Sequence, residues 1–265
     1  MHQQLKVTPK KHLGQHFLND ENIAEKIARA VTDVCNVSTV VEIGPGMGVL
    51  TKYLMNKPFR LVAMDIDNES VEYLKKHFPE NASQFVKADF LQVNLADWVD
   101  PPYAIIGNFP YNISTQIVFK ILENRQHIPL MAGMFQKEVA ERICSGPGTK
   151  DYGILSVLTQ AYYQLEYLFT VPEHVFTPPP QVKSGVMRMI KKEQEPDIDE
   201  KMLFKVVKAA FNQRRKKLRN AISQFGVDDA ILQPSGFADL RAEQLSVADF
   251  IKLTQLVISH GNNNQ

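Results

Sequence analysis

Short apolar runs recur through the first 190 residues at intervals that leave room for a helix between most of them. Val40-Val41-Glu42-Ile43, Leu61-Val62-Ala63-Met64 and Ala104-Ile105-Ile106-Gly107 are each the length of a strand and apolar on both faces. The pattern predicts strands near 39–43, 60–65, 84–88, 103–107, 129–134, 165–171 and 182–190, and their alternation with helical patterns predicts a doubly wound α/β sheet. The loop between the last two strands is too short for a crossover helix, so those two are expected to pair antiparallel. Lys191-Lys192-Glu193-Gln194-Glu195-Pro196-Asp197 is charged and carries a proline, as a linker does. Beyond it the patterns over 200–223, 227–233 and 246–259 are all helical. Two domains follow, a sheet domain over residues 1–190 and a small all-helical domain over 191–265.

The residues that end the predicted strands carry the chemistry. Gly44-Pro45-Gly46-Met47-Gly48 follows the first strand, and Val49 to Met55 then shows helix-compatible spacing. Glycines admit positive φ and let backbone approach a ligand closely. Asp65 closes the second strand 21 residues after Gly44, the spacing of a carboxylate that grips ribose hydroxyls. Gly-x-Gly-x-Gly departs from the dinucleotide pattern, so a nucleoside ligand without a pyrophosphate fits better than NAD. Asp89, after the third strand, can accept from an adenine amino group, whereas Asp67 reads as a turn acid or helix cap. Asn108-Phe109-Pro110-Tyr111 leaves the fourth strand where open α/β sheets bind ligands. Its Asn108 amide oxygen and Pro110 carbonyl can each accept a hydrogen bond from an exocyclic amino group while Tyr111 stacks on the ring. A flat amino-heterocycle such as adenine suits that set; a plain strand-ending turn is the competing account.

Taken together, Lys10-Lys11-His12-Leu13-Gly14-Gln15-His16-Phe17-Leu18, Glu42-Ile43-Gly44-Pro45-Gly46, Asn108-Phe109-Pro110-Tyr111-Asn112-Ile113-Ser114, Gln136-Lys137-Glu138-Val139-Ala140 and Phe176-Thr177-Pro178-Pro179-Pro180 resemble, in this order, the KsgA-type ribosomal RNA adenine N6-dimethyltransferases. The resemblance spans about residues 8–225. It implies a Rossmann-like class I methyltransferase sheet with an antiparallel last strand, and S-adenosyl-L-methionine held by His16, Leu18, Gly44, Asp65, Asp89 and Asn108. It also implies a base site of Asn108, Pro110, Tyr111 and Phe176, the last stacking on the base face opposite Tyr111. The reaction implied is N6,N6-dimethylation of two adjacent adenines in the 3′-terminal hairpin of 16S ribosomal RNA within an immature 30S subunit, with a part in subunit biogenesis. Two positions depart from the family pattern: His16 stands where some members have Asn, and Phe109 where Leu or Pro is usual.

Composition adds charge to this picture. The 265-residue chain is 44% hydrophobic with a net charge of +1, enough for one full core and a small appendage. The charge is uneven. Residues 1–16 hold Lys6, Lys10 and Lys11 without an acid, and residues 200–220 hold eight Lys or Arg against Glu200 alone, a local excess of +7. Arg214, Arg215, Lys216, Lys217 and Arg219 are dense enough to bind RNA phosphates; an apolar stripe of Phe204, Val207, Ala210, Phe211 and Leu218 puts them outside a helix, where a solvated face is the competing account. Two cysteines and seven scattered histidines support neither a disulfide framework nor a metal site. No apolar segment reaches membrane-spanning length, and the first residues lack the apolar run of a secretion signal, so a cytoplasmic location is expected. The resemblance and the basic segment add the expectation of a monomer acting on RNA and not on DNA. Three other readings remain: a resistance-type 23S ribosomal RNA adenine methyltransferase, a ribosome-assembly factor with incidental methylation, and a nucleotide-dependent dehydrogenase, which leaves Asn108 to Tyr111 without a role.

Overall fold

The computed structural model describes residues 7–261; Lys6 of the basic N-terminal stretch and the polar tail Asn262 to Gln265 lie outside the described residues. Its strands are β1 (Phe17–Leu18), β2 (Thr39–Ile43), β3 (Arg60–Asp65), β4 (Phe85–Lys87), β5 (Tyr103–Asn108), β6 (Leu130–Gln136), β7 (Tyr163–Val171), β8 (Phe176–Thr177) and β9 (Ser184–Lys191). The helices are α1 (Glu21–Thr32), α2 (Thr51–Leu54), α3 (Asn68–His77), α4 (Ser114–Glu123), α5 (Lys137–Cys144), α6 (Ile154–Tyr162), α7 (Glu200–Asn212), α8 (Leu218–Ala221), α9 (Asp229–Ser235) and α10 (Val247–Gly261). Seven strands form one sheet in the order β4-β3-β2-β5-β6-β9-β7. β2 pairs parallel with β3 and β5, and β5 with β6, while β9 runs antiparallel to β6 from Leu130↔Ile190 to Gln136↔Ser184. All seven predicted strands are present. β7 and β9 are sheet neighbours; the Lys192 N–H donates to Tyr162 O and Arg188 pairs with Glu166, so the two strands run in opposite senses, as their short connection requires.

Register sets the site. Ile43 pairs with Met64 on one side and Gly107 on the other, so the next residues, Gly44, Asp65 and Asn108, leave three adjacent strands side by side. That edge is the carboxyl end of the parallel strands, bracketing the centre of the sheet where the strand order reverses. β2 is buried along its whole length and β5 as far as Gly107, because helices cover both faces. On one face α1 packs Ala24, Ile27, Ala28 and Val31 against Val40, Ala104 and Ala132, its start fixed by Asp20, which accepts from the Ile23 N–H at 3.0 Å.

Two expected helices differ. The run from Val49 to Met55 is helical only over α2, because Gly48 sits at φ +83° and the chain turns through residues 46–50 before the helix starts. The expected helix over 200–223 breaks after α7: Gln213 leaves helical geometry and Lys217 is extended before α8. Between Phe211 and Leu218 no apolar residue is available to bury, and four consecutive cations repel one another on a helix.

By contacts the chain divides into one unit of residues 1–140 and 165–191 and another of 141–164 and 192–265. The segment 141–164, assigned to the sheet domain from sequence, groups with the second unit, in which the Phe211 ring meets Tyr152 at 5.9 Å and Phe250 at 5.7 Å. Residue 191 ends the sheet unit, one residue past the expected boundary.

Candidate active site

A glycine turn, a carboxylate and an amide meet at the edge where β2, β3 and β5 end. Gly44 at φ +66° donates its N–H to Met64 O at 2.8 Å, and Gly46 at φ +55° lies so close under Phe17 that a Cβ there would stand 2.9 Å from the ring. At Gly46 a side chain is excluded by both conformation and space. The resulting hollow consists of two adjoining cavities of about 50 and 390 Å³ that share Phe17, Gly44, Gly46 and Asn108.

Asp65 is buried at the rim. Its Oδ2 accepts from the Gly46 N–H at 3.2 Å and its Oδ1 from the Asp67 N–H at 2.8 Å, which leaves each oxygen a lone pair for a ribose hydroxyl. Burial pushes its carboxyl up to about 6, against the pull of those two N–H groups. One strand away Glu42, wholly buried before the glycine turn, is pushed up to about 8 by burial, and its Oε2 has no partner. Asp65 therefore acts on stability in the sense opposite to a salt-bridged acid. Its folded value exceeds the ordinary 3.8, so its neutral form burdens neither state below about pH 4, and the burial penalty grows as pH rises through 6. Relative to Asp65→Asn, the unliganded wild type is expected to lose on the order of 1–3 kcal/mol between pH 4 and 8. Melting temperatures of both proteins across that range test this; a gap that stays constant with pH refutes it.

Asn108 links the strand edge to the N-terminal segment. Its Nδ2 donates to the His16 carbonyl at 3.0 Å, so its amide oxygen is the end left for a substrate donor. Pro110 O already accepts the Ile113 N–H at 3.2 Å and keeps one lone pair. Phe109 carries none of this chemistry; its buried ring packs on Phe135 at 4.8 Å, over Gly107 and Gly133. Tyr111 is held by a 2.5 Å hydrogen bond between its hydroxyl and the buried Ser184 Oγ. Burial raises the phenol's pKa, so it stays neutral.

Several expected site residues fall elsewhere. Phe176 is 3% exposed and lies in the main core with Leu18 and Val171, because β8 pairs antiparallel with β1 in the register Leu18↔Phe176. A ring so enclosed does not face a base; the competing role of core packing describes its position. Leu18 lines the larger cavity. Asp89 does not line either cavity; its Oδ1 caps its own turn through the Leu91 N–H at 2.9 Å. Asp67 is the cap of α3, accepting from the Glu69 N–H at 3.0 Å, and it also anchors the N-terminal segment through Lys10 and Gln15. Burial raises its pKa, but those two partners outweigh burial and hold it below the usual carboxylate range.

Sequence reasoning missed Ile66 and Ser184. Ile66 follows Asp65, lines the smaller cavity and is 49% exposed, an apolar face beside the Asp65 carboxylate suited to a flat ring. An apolar residue wedged between Asp65 and Asp67 was the signal available. Ser184 had no sequence signal, since only the β6–β9 register carries it to the Gln136 end of β6.

The basic cluster splits by function. Arg214 is committed to structure, its guanidinium donating to Lys150 O at 2.7 Å and Thr149 O at 3.0 Å and lying 3.5 Å from Glu243. Lys217 pairs with Asp239 at 2.9 Å, and Arg219 pairs with Asp229 and Asp239. Arg215 and Lys216 are exposed. Among the described residues no group of three or more His, Cys, Asp or Glu side chains is placed to hold a metal, and no helix is long and apolar enough to cross a membrane.

The glycine cradle, the ribose-ready carboxylate and the exposed Ile66 fit a nucleoside-bearing methyl donor. The comparisons agree. The profile of the family described as "Ribosomal RNA adenine dimethylase" matches residues 7–258. The chain is similar to "Ribosomal RNA small subunit methyltransferase A" of Cytophaga hutchinsonii, 56% identical over 254 residues that span 95% of this chain and 98% of the relative. It is likewise 55% identical to the protein of the same name from Flavobacterium johnsoniae, over 97% of this chain and 98% of that one. Among solved structures, a dimethyladenosine transferase from Plasmodium falciparum has the same fold at TM-score 0.80 and 23% identity, covering 93% of this chain and 98% of the other. The 23S rRNA methyltransferase ErmE superposes at TM-score 0.70 and 24% identity, over 91% and 99% of the two chains.

Proposed function

The chain belongs to the ribosomal RNA adenine dimethylase family, and from that premise we propose that its substrate is 16S ribosomal RNA in an immature small subunit, dimethylated at N6 of two adjacent adenines in the 3′-terminal hairpin. The enzyme is an S-adenosylmethionine-dependent methyltransferase with a class I sheet. The cofactor supplies an activated methyl on a sulfonium. In the reading we favour, the turn at Gly44 and Gly46 cradles it, Asp65 holds its ribose and Ile66 covers its adenine. The small-subunit assignment draws on relatives more than 50% identical that carry that name, against 24% identity to the 23S enzyme.

One observation carries the mechanism: the Asn108 amide spends its N–H on His16 O and so presents its oxygen at the carboxyl end of β5. An adenine amino nitrogen is a poor nucleophile because its lone pair is delocalised into the ring. Accepting its protons at Asn108 Oδ1 and Pro110 O favours a tetrahedral nitrogen with the lone pair aimed at the methyl. Tyr111 fixes the ring, and after transfer the nitrogen releases its proton to water. The site contributes orientation and electrostatics, with no general base required. The test is radiolabelled methyl incorporation into small subunits purified without the modification, which we expect to be strong, with little on duplex DNA or a short free oligonucleotide. Equal incorporation into DNA and subunits refutes the assignment.

RNA contact by the second unit follows from its exposed cations, and we place the enzyme in the cytoplasm as a monomer. Neutralising Arg215 and Lys216 together is expected to lower the log–log salt slope of RNA binding by roughly 0.7–0.9 per lost phosphate contact, with cofactor affinity intact. Arg214→Gln is expected instead to lower the melting temperature, since it unties residues 149–150. Filter binding across a salt series decides; an unchanged slope in the Arg215 and Lys216 variant removes them from the interface.

A further inference from the structure

The cofactor-side cavity and a wider outer groove of about 830 Å³ that runs along Pro178 to Val182 share four lining residues, Gly14, Gln15, His16 and Tyr111. A base entering the cofactor-side cavity from this groove meets that partition. Its two rings close it: the His16 imidazole stacks on Tyr111 with centroids 5.4 Å apart and planes inclined by 29°. A base lying between them would need a contact distance of about 3.5 Å on each side, roughly 7 Å in all. The present spacing admits none.

We propose that the His16 side chain belongs to the base site, holding the place on Tyr111 that the target adenine takes when it displaces the imidazole. The inference rests on the reading of Tyr111 as the base platform. The His16 Nδ1 lies 2.8 Å from Pro178 O, an acceptor only, so Nδ1 carries the proton and the ring is tethered to the proline loop by one hydrogen bond. The main chain beside it is fixed far more firmly. β1 pairs with β8, the Asn19 N–H donates to Val175 O at 2.8 Å, and Asn19 Nδ2 donates to Thr177 Oγ1 at 2.7 Å. The imidazole can therefore leave Tyr111 by rotating about its own side-chain torsions while the His16 carbonyl stays on Asn108. The seat is filled until a base arrives, and filling it closes the cofactor cavity towards the groove without disturbing the amide that orients the amino group.

Adenosine binding to protein saturated with S-adenosylhomocysteine, which blocks the cofactor site, tests this by calorimetry. His16→Ala is expected to bind adenosine about two- to tenfold more tightly than wild type, the change that corresponds to one aromatic pair no longer competing. Adding Tyr111→Ala is expected to abolish the gain, which a merely structural effect of the His16 change would not do. Unchanged or weaker adenosine binding by His16→Ala overturns the inference and returns the side chain to cofactor binding or to a fixed wall. Methylation of immature subunits by wild type, measured alongside, separates the two levels: transfer without an adenosine gain in the variant removes only the role of His16, whereas no transfer removes the proposed function and this inference with it.

Discussion

Asn108→Ala is expected to lower turnover on immature small subunits by about 10²- to 10³-fold, the cost typical of deleting one preorganised polar contact that acts on the reacting group. Two losses combine in this variant. The oxygen we propose as acceptor of the adenine amino proton disappears, and the His16 carbonyl loses the amide that donates to it. The cofactor pocket loosens as well, because Asn108 lines both of its cavities. Asn108→Asp keeps an acceptor for the amino group but sets a carboxylate against the His16 carbonyl, so its turnover should fall between the two. Asn108 is half-buried at a strand end and fills no core space, so the melting temperatures should stay near wild type. Single-turnover methyl transfer with saturating cofactor measures the effect; an alanine variant retaining more than about a tenth of the wild-type rate sinks the assignment.

The central sheet was readable because its strands are buried on both faces and so appear as uninterrupted apolar runs. Each run ends in a residue whose conformation or polarity sets it apart, Gly44, Asp65 and Asn108 in turn. Their lateral alignment follows once β2 pairs in register with β3 and β5. Other features had no such signature. The β1–β8 pair is two residues long on each side, too short for alternation to register, and its pairing is what draws Phe176 into the core. The proline run after Phe176 suggested a stiff loop presenting a ring, and composition cannot say which way a ring points. The apolar stripe through Phe211 and Leu218 suggested one helix because positions seven apart share a face, but the residues between them have nothing to bury. A count of cations likewise does not separate Arg214, spent on two carbonyls and Glu243, from Arg215 beside it.

Gly133→Ala is expected to be the most damaging change outside the reacting groups. Gly133 of β6 lies opposite Gly107 of β5, and the Phe109 ring crosses both. A Cβ at 133 would stand 2.5 Å from Gly107 O and collide with the Phe109 ring; one at 107 would stand 2.6 Å from Ile43 O and 2.9 Å from the same ring. Neither glycine has positive φ, so the requirement is for space alone. Two bare glycines make the slot that the Phe109 ring fills. Overpacking it should cost about 3 kcal/mol, since both ring and backbone must shift. Activity should fall further than stability implies, because Phe109 sits between Asn108 and Pro110, and displacing its ring moves the two acceptors we propose for the amino group. Phe109→Leu shrinks the ring's demand and should restore part of the stability of Gly133→Ala, though not all, because the contact with Gly107 O remains. Denaturant unfolding of wild type, both single variants and the double variant gives the coupling directly. If the two changes prove additive, the glycines are not there to seat Phe109.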